Sequence, residues 1–248
     1  GERRGTDVYM DSKVLIFAGD VAPKRPDLDS IFCKTGEFLN SADLVFGQLE
    51  AVVSEIGSPA CHSRLPLRIY PAAGDCLKRA GFDVMSFASN HTLDWGLDGY
   101  YRTIEVMRES GIAIVGVGDT IDEAREPVIT ELDDGTKVGF LAYCSILPQG
   151  YWALPDRPGV NPMRALTCAV PNEYDQPGTP VTLYTWPHPV DLKNMIADIQ
   201  ALRQKVDILV VSQHWGIHFT PAVIADYQRY VGRFAIDAGA DIVVGHHS

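Results

Sequence analysis

Seven polar residues of this 248-residue chain stand directly at the ends of apolar runs. Asp20 closes Phe-Ala-Gly-Asp and Glu50 closes Gly-Gln-Leu-Glu. Asn90 and His91 close Ala-Ser-Asn-His, His214 closes Ser-Gln-His, and His246 and His247 close Val-Val-Gly-His-His. Carboxylates, imidazoles and an amide oxygen, without a thiolate, suit a divalent metal such as Zn, Mn or Fe, as one ion or a pair. Two ions about 3.5–4 Å apart can share a carboxylate and hold a nucleophilic hydroxide. A neighbouring histidine with an ordinary pKa near 6.5 can protonate a leaving group. The chemistry expected is metal-assisted hydrolysis. Singly, each residue has a structural reading: a turn or cap for Gly-Asp, a surface carboxylate for Glu50, a hydrogen-bonded histidine at a strand end. Jointly these readings weaken, because unpaired polar groups beside a core are costly and one metal centre satisfies all of them.

The elements that position these residues alternate along the chain. Val14–Val21, Leu44–Glu50, Val84–Asn90, Ala113–Val117, Lys137–Tyr143, Asp207–His214 and Asp241–Gly245 are rich in Val, Ile, Leu and Phe with little polar alternation. They predict strands buried on both faces. Helical spacing predicts helices over Leu28–Ala42, Ala73–Ala80, Leu97–Ser110, Asp191–Lys205 and Val223–Ala238. The alternation predicts an α/β protein built from βα units. Ligands of open α/β sheets bind outside the carboxyl ends of strands, where the seven residues stand. Ser145–Pro189 breaks the rhythm with nine of the sixteen prolines and the aromatics Tyr151, Trp152, Tyr174, Tyr184 and Trp186. It reads as an insertion folded over one end of the sheet, either a packing ornament or a substrate lid.

Composition narrows the partners. Hydrophobic residues are 46% of the chain and charged residues 21%, enough apolar material for a sizeable core. Lys plus Arg is 21 against 32 Asp plus Glu, a net charge of −11. That balance disfavours nucleic acid and anionic membranes. Five scattered cysteines form no Cys-x-x-Cys pair and favour a reducing, cytoplasmic setting. No stretch approaches the roughly 20 apolar residues of a membrane helix. Gly1–Gly5 lacks the apolar run of a signal peptide.

Gly19-Asp20-Val21, Gln48-Leu49-Glu50, Ser89-Asn90-His91 with Leu93-Asp94-Trp95-Gly96, His214-Trp215-Gly216 and Gly245-His246-His247 resemble, in order and spacing, the signature of the CapA family. These are capsule or poly-γ-glutamate synthesis proteins within the calcineurin-like metallophosphatase superfamily. The resemblance runs from about Val14 to the end and implies one domain over residues 1–248. It implies a four-layer α/β/β/α sandwich with a two-metal centre on one edge. By motif, Asp20 is implied as a ligand of the first metal and Glu50 takes the place of the bridging aspartate. Asn90 and His214 are implied as ligands of the second metal, and His246 or His247 supplies a final histidine. His91 resembles the leaving-group acid.

The chain departs from the pattern in several places. Val21-Ala22 follows Asp20 where the superfamily has Asp-x-His, and Gln48 replaces an Asn. His218 stands where the family often has Glu; it reads as an extra ligand, a substrate contact or a packed imidazole. The third His of the last motif would fall one residue past Ser248, so the family domain is expected to continue beyond this chain. Asp94 and Asp98 read as helix-capping and first-turn acids. Arg64 is a candidate contact for an anionic substrate. Trp152 and Trp186 of the insertion are candidates for specificity.

Two functions follow from this reading. One is a metal-dependent hydrolase, in which a metal-activated water attacks a phosphoester, ester or amide of a small or peptide-like substrate. The other is a non-catalytic binding or assembly component of polyglutamate or capsule synthesis. The aromatic insertion and the net charge of −11 favour a bulky small molecule over a polyanion.

Overall fold

The apolar runs become strands whose alternate residues face two different cores. A computed structural model describes residues 12–61, 63–220 and 222–247; the amino-terminal reading of Gly1–Gly5 lies outside them. The first half comprises β1 (Leu15–Val21), α1 (Gly36–Asn40), β2 (Leu44–Leu49), β3 (Val52–Val53), β4 (Arg68–Ile69), α2 (Ala72–Ala80), β5 (Val84–Ser86), α3 (Gly96–Glu109) and β6 (Ala113–Val115). There follow β7 (Val117–Gly118), α4 (Ile121–Ala124), β8 (Val128–Glu131), β9 (Lys137–Cys144), β10 (Gly159–Val160), β11 (Ala165–Pro171) and β12 (Val181–Pro187). The chain ends with α5 (Pro189–Arg203), β13 (Ile208–His214), α6 (Asp226–Ala238) and β14 (Ile242–His246).

Two four-stranded sheets carry the structure. The first has the order β1-β2-β5-β6 and is parallel throughout. The second has the order β14-β13-β9-β8, parallel except for β8 at its edge. Between the sheets, Phe46 of β2 and Phe140 of β9 stack with ring centroids 5.2 Å apart, among Val84, Ala142 and Val210. The next residue on β9, Leu141, faces the other way and packs with Met195, Ile199 and Val231 of α5 and α6. On the far side of the first sheet, Leu77, Tyr100 and Met107 of α2 and α3 pack with Leu49 and Met85. Three apolar layers thus separate four polypeptide layers, the α/β/β/α sandwich that the resemblance implies. Gly81 ends α2 at φ +108°, a conformation that only glycine adopts without strain.

Several elements differ from expectation. The helix expected over 28–42 shrinks to the five residues of α1. Single turns precede it, closed by Ile31 N–H to Leu28 O and Thr35 N–H to Phe32 O. Ser30 Oγ also bonds Asp27 O, a local side-chain bond that competes with helix. The third strand stops at Ser86 rather than Asn90. The Ser145–Pro189 segment is largely ordered structure: β10 pairs with β7, and β11 and β12 form an antiparallel hairpin. Asp98 lies in the first turn of α3, but the N-cap position is Trp95 and Asp94 does not cap it. The five cysteines are unbridged. Among the described residues no helix is long and apolar enough to cross a membrane.

Candidate metal centre

Adjacent strands of both sheets deliver the seven residues to one edge. In the first sheet Asp20 of β1 lies opposite Gln48 of β2, after a register shift between Phe17 and Asp20. Such bulges re-aim side chains at strand ends. Glu50 follows one step later, its N–H bonding Val21 O at 3.0 Å. Beyond β5 the chain turns tightly. Ser89 N–H bonds Thr92 Oγ1 at 3.1 Å and His91 N–H bonds Ser89 Oγ at 3.0 Å. This turn carries Asn90 and His91 to the same edge. In the second sheet His214 of β13 lies opposite His246 of β14. Gly216, at φ +124°, lets the loops after β13 and β14 meet. A Cβ there would lie 3.0 Å from His247 O.

The donors converge. His214 Nε2 donates to Asn90 Oδ1 at 2.7 Å and stands 3.4 Å from Glu50 Oε1. Glu50, His214 and His247 each place one donor atom within 4.8 Å of the others. Glu50 Oε2 accepts from Ser89 Oγ at 2.9 Å. Asp20 Oδ1 lies 3.7 Å from His246 Nδ1, and Asp20 Oδ2 accepts from the His247 N–H at 3.1 Å. At this edge four buried imidazole nitrogens have no hydrogen-bond partner among the described residues: His214 Nδ1, His247 Nε2 and both nitrogens of His246. Buried polar atoms are nearly always paired. Unsatisfied imidazoles beside two carboxylates are what a divalent cation requires of its donors, so this set fits one.

The electrostatics agree with that fit. Burial pushes the Asp20 carboxyl above its ordinary range, and the Glu50 charge adds to the shift. Burial acts upward on Glu50 too, but bonds from His214 and Ser89 and the imidazole charges hold it below its ordinary value. Burial, with repulsion from His214, drives His246 and His247 down to about 4. Both are therefore neutral at pH 7, the form that offers a lone pair to a metal.

His91 is treated differently. Its Nδ1–H donates to Asp94 Oδ2 at 2.6 Å, leaving Nε2 toward Glu50 Oε1 at 3.8 Å. Burial pulls its pKa down, but the Asp94 bond and the Asp94, Glu50 and Asp20 charges outweigh burial and raise it. Asp94 is itself buried and held by Ser63 Oγ at 2.8 Å, the Leu67 N–H at 2.7 Å and Tyr151 Oη at 3.4 Å. This carboxylate is the site residue that sequence reasoning missed. Its signal was the His-x-x-Asp spacing, which serves equally for a helix cap.

A cleft of about 810 Å³ opens over the centre, lined by Asp20, Glu50, Asn90, His91 and His247. His214 and His246 lie beneath its floor, fully or nearly fully buried. Arg64 and His218 also line the cleft. The His218 ring stacks on Phe219 at 3.9 Å and lies 4.9 Å from His247. Gln48 is buried below the cleft, bonding backbone oxygens of Leu49 and Ala88. The structure keeps both candidate tryptophans away from the cleft lining. Trp152 bridges to Val160 as its segment folds back toward the core, with Arg157 and Arg164 over its ring. Trp186 lies on the β11–β12 hairpin, which packs on α6 through Thr185, bonded to Asp226 and Tyr227. Only the start of the insertion, Ile146 to Gln149, reaches the cleft.

Comparison with known proteins places this arrangement. The PGA biosynthesis protein CapA of Bacillus subtilis is 26% identical over 93% of this chain and 56% of its own length. The capsule biosynthesis protein CapA of Bacillus anthracis is 25% identical over 90% of this chain and 49% of its own length. The chain spans about half the length of these two relatives. The solved structure of a Staphylococcus aureus protein in complex with alpha-ketoglutarate gives a TM-score of 0.44 at 15% identity. That match covers 82% of this chain and 35% of the other, too slight a likeness to bear on fold or site. The family model of the bacterial capsule synthesis protein PGA_cap matches residues 14–248, the stretch holding both sheets and all seven strand-end residues, and the chain belongs to that family.

Proposed function

We propose that this chain is a metal-dependent hydrolase acting on a phosphoester, ester or amide of a small substrate. The observation that carries the reading is the pairing of two kinds of histidine at one edge. Buried neutral imidazoles with orphaned nitrogens, His246 and His247, face the carboxylates, while the Asp94 carboxylate raises the pKa of His91 beside them. Asp20, Glu50, Asn90, His214, His246 and His247 would hold one or two divalent ions. A bound ion of the Zn, Mn or Fe type supplies Lewis-acid polarisation and makes water acidic enough to act as a nucleophile near neutral pH.

The chain's own residues supply the rest. Asp94 accepts from His91 Nδ1, which fixes the ring and leaves the transferable proton on Nε2, toward the cleft. As the bond between the acyl or phosphoryl centre and its leaving atom breaks, His91 Nε2 protonates that atom. His91 then regains a proton from solvent. Asp94 acts through His91, as a positioning residue.

The test is a hydrolysis screen of chromogenic phosphoesters, esters and anilides with the parent chain and His91→Gln. The expected result is turnover that falls about 10²–10⁴-fold in the variant, with metal content unchanged. A second reading, a non-catalytic component of polymer assembly, draws on the relatives' names as capsule and PGA biosynthesis proteins. It gains if no substrate is turned over; turnover that His91→Gln leaves untouched would instead remove His91 as the acid.

A further inference from the structure

The upper cleft differs in character from its floor. Arg64 is the sole Lys or Arg among the described residues lining it, and it is exposed. No described residue forms a hydrogen bond or ion pair with its guanidinium. Beside it Leu65 is 65% exposed, and Phe219 on the same cleft is 91% exposed at φ +58°. Ile217 is exposed as well, and Ile146 and Leu147 are half-buried in the wall. A left-handed phenylalanine standing in solvent is costly in both backbone conformation and hydration. Exposed apolar side chains gathered in a concavity mark a binding surface. The volume of about 810 Å³ suits a ligand of ordinary small-molecule size.

We infer that the cleft selects a small substrate with one anionic group beside an apolar or aromatic body, Arg64 anchoring the anion and Phe219 and Leu65 packing the body. This rests on the hydrolase reading of the same cleft. Guanidinium is the side chain best matched to a carboxylate or phosphate oxygen pair. An aromatic ring accepts a flat or aliphatic partner by stacking. A long polyanion fits poorly, because beyond the metal centre it would meet a single basic side chain, Arg64, rather than a row of Lys and Arg.

The test measures binding, so that it stands apart from turnover. Calorimetric titration of the metal-loaded chain compares 4-phenylbutyrate, butyrate, neutral 4-phenylbutyramide and an oligo-γ-glutamate series. The expected result is that 4-phenylbutyrate binds at least tenfold tighter than either fragment. Arg64→Gln removes its advantage over the amide, and Phe219→Ala removes its advantage over butyrate. Both side chains are exposed, so both variants keep the fold, which circular dichroism checks. Selective binding without turnover of any ester, phosphoester or anilide would keep the recognition and defeat the hydrolase. Affinity that rises with oligoglutamate length and ignores both substitutions would overturn the inference. So would 4-phenylbutyrate binding no better than butyrate, or not at all.

Discussion

His214 is fully buried, with Nε2 held between Asn90 Oδ1 and Glu50 Oε1; Phe219, on the loop that follows, stands almost wholly in solvent. The first belongs to the floor of the cleft and the second to its rim. On the floor, position comes from the parallel register of buried strands, which sets His214 opposite His246. A misplaced donor there would leave polar atoms unpaired beside a core. On the rim, side chains hang from loops and nothing in the core dictates their type. The comparison teaches that the cluster of donors is built into the sandwich, while the rim of the cleft is built into connections that can vary without disturbing it.

The sharpest way to break this comparison is to alter the floor. Glu50→Gln removes the carboxylate that faces both His214 and His91. Turnover should fall by on the order of 10³ or more, measured under steady-state conditions with the metal present in excess. A fall of only a few-fold would mean that Glu50 is a bystander.

Asp94→Asn should follow, with a loss on the order of 10². Its distinguishing mark is the pH profile. Asp94 holds the His91 pKa up, so without it the acid form is lost at lower pH and the alkaline limb moves down. A lowered rate with an unmoved limb would assign Asp94 a merely structural role.

A third effect concerns stability in chelator-treated protein. His246 falls from an ordinary 6.5 to about 4 in the folded chain. Between those values the unfolded chain binds a proton that the folded chain refuses. Stability is therefore full above about pH 6.5 and is lost as pH falls towards 4, by at most about 3 kcal/mol. Urea denaturation across that range should show the loss, and His246→Asn should reduce it, leaving the part that His247 contributes.

The smallest effect should come from outside both regions. Trp186 is 41% exposed on the hairpin. Trp186→Ala should leave turnover within about twofold and change stability by less than about 1 kcal/mol. A large loss of activity would return the hairpin to the site.

The floor was legible in the sequence because long Val, Ile and Leu runs end where strands end. Asp20, Glu50, His214 and His246 could be placed on one edge by that rule alone. Asp94 was misread because its partner is set by a turn: the Ser89 and Thr92 bonds swing His91 back over it. The β11–β12 hairpin was not anticipated. Its strands close on Pro171 and Pro187 and stay mostly exposed, so they carry no buried-strand signature. The helix expected over 28–42 had Leu28, Ile31, Phe32 and Leu39 at helical spacing. Local turns won over half of that stretch, closed by the Ile31 and Thr35 N–H groups and by Ser30 Oγ on Asp27 O. Rim residues such as Phe219 gave no signal, because an isolated apolar residue in a loop has no period.

Elemental analysis tests the central claim most directly. The parent chain, purified without chelator, would be measured beside an Asn90→Ala/His214→Ala double variant. The account predicts near-stoichiometric Zn, Mn or Fe in the parent, lost in the variant while the circular dichroism spectrum is retained. Absence of metal from both after attempted reconstitution, or equal metal in both, would contradict it.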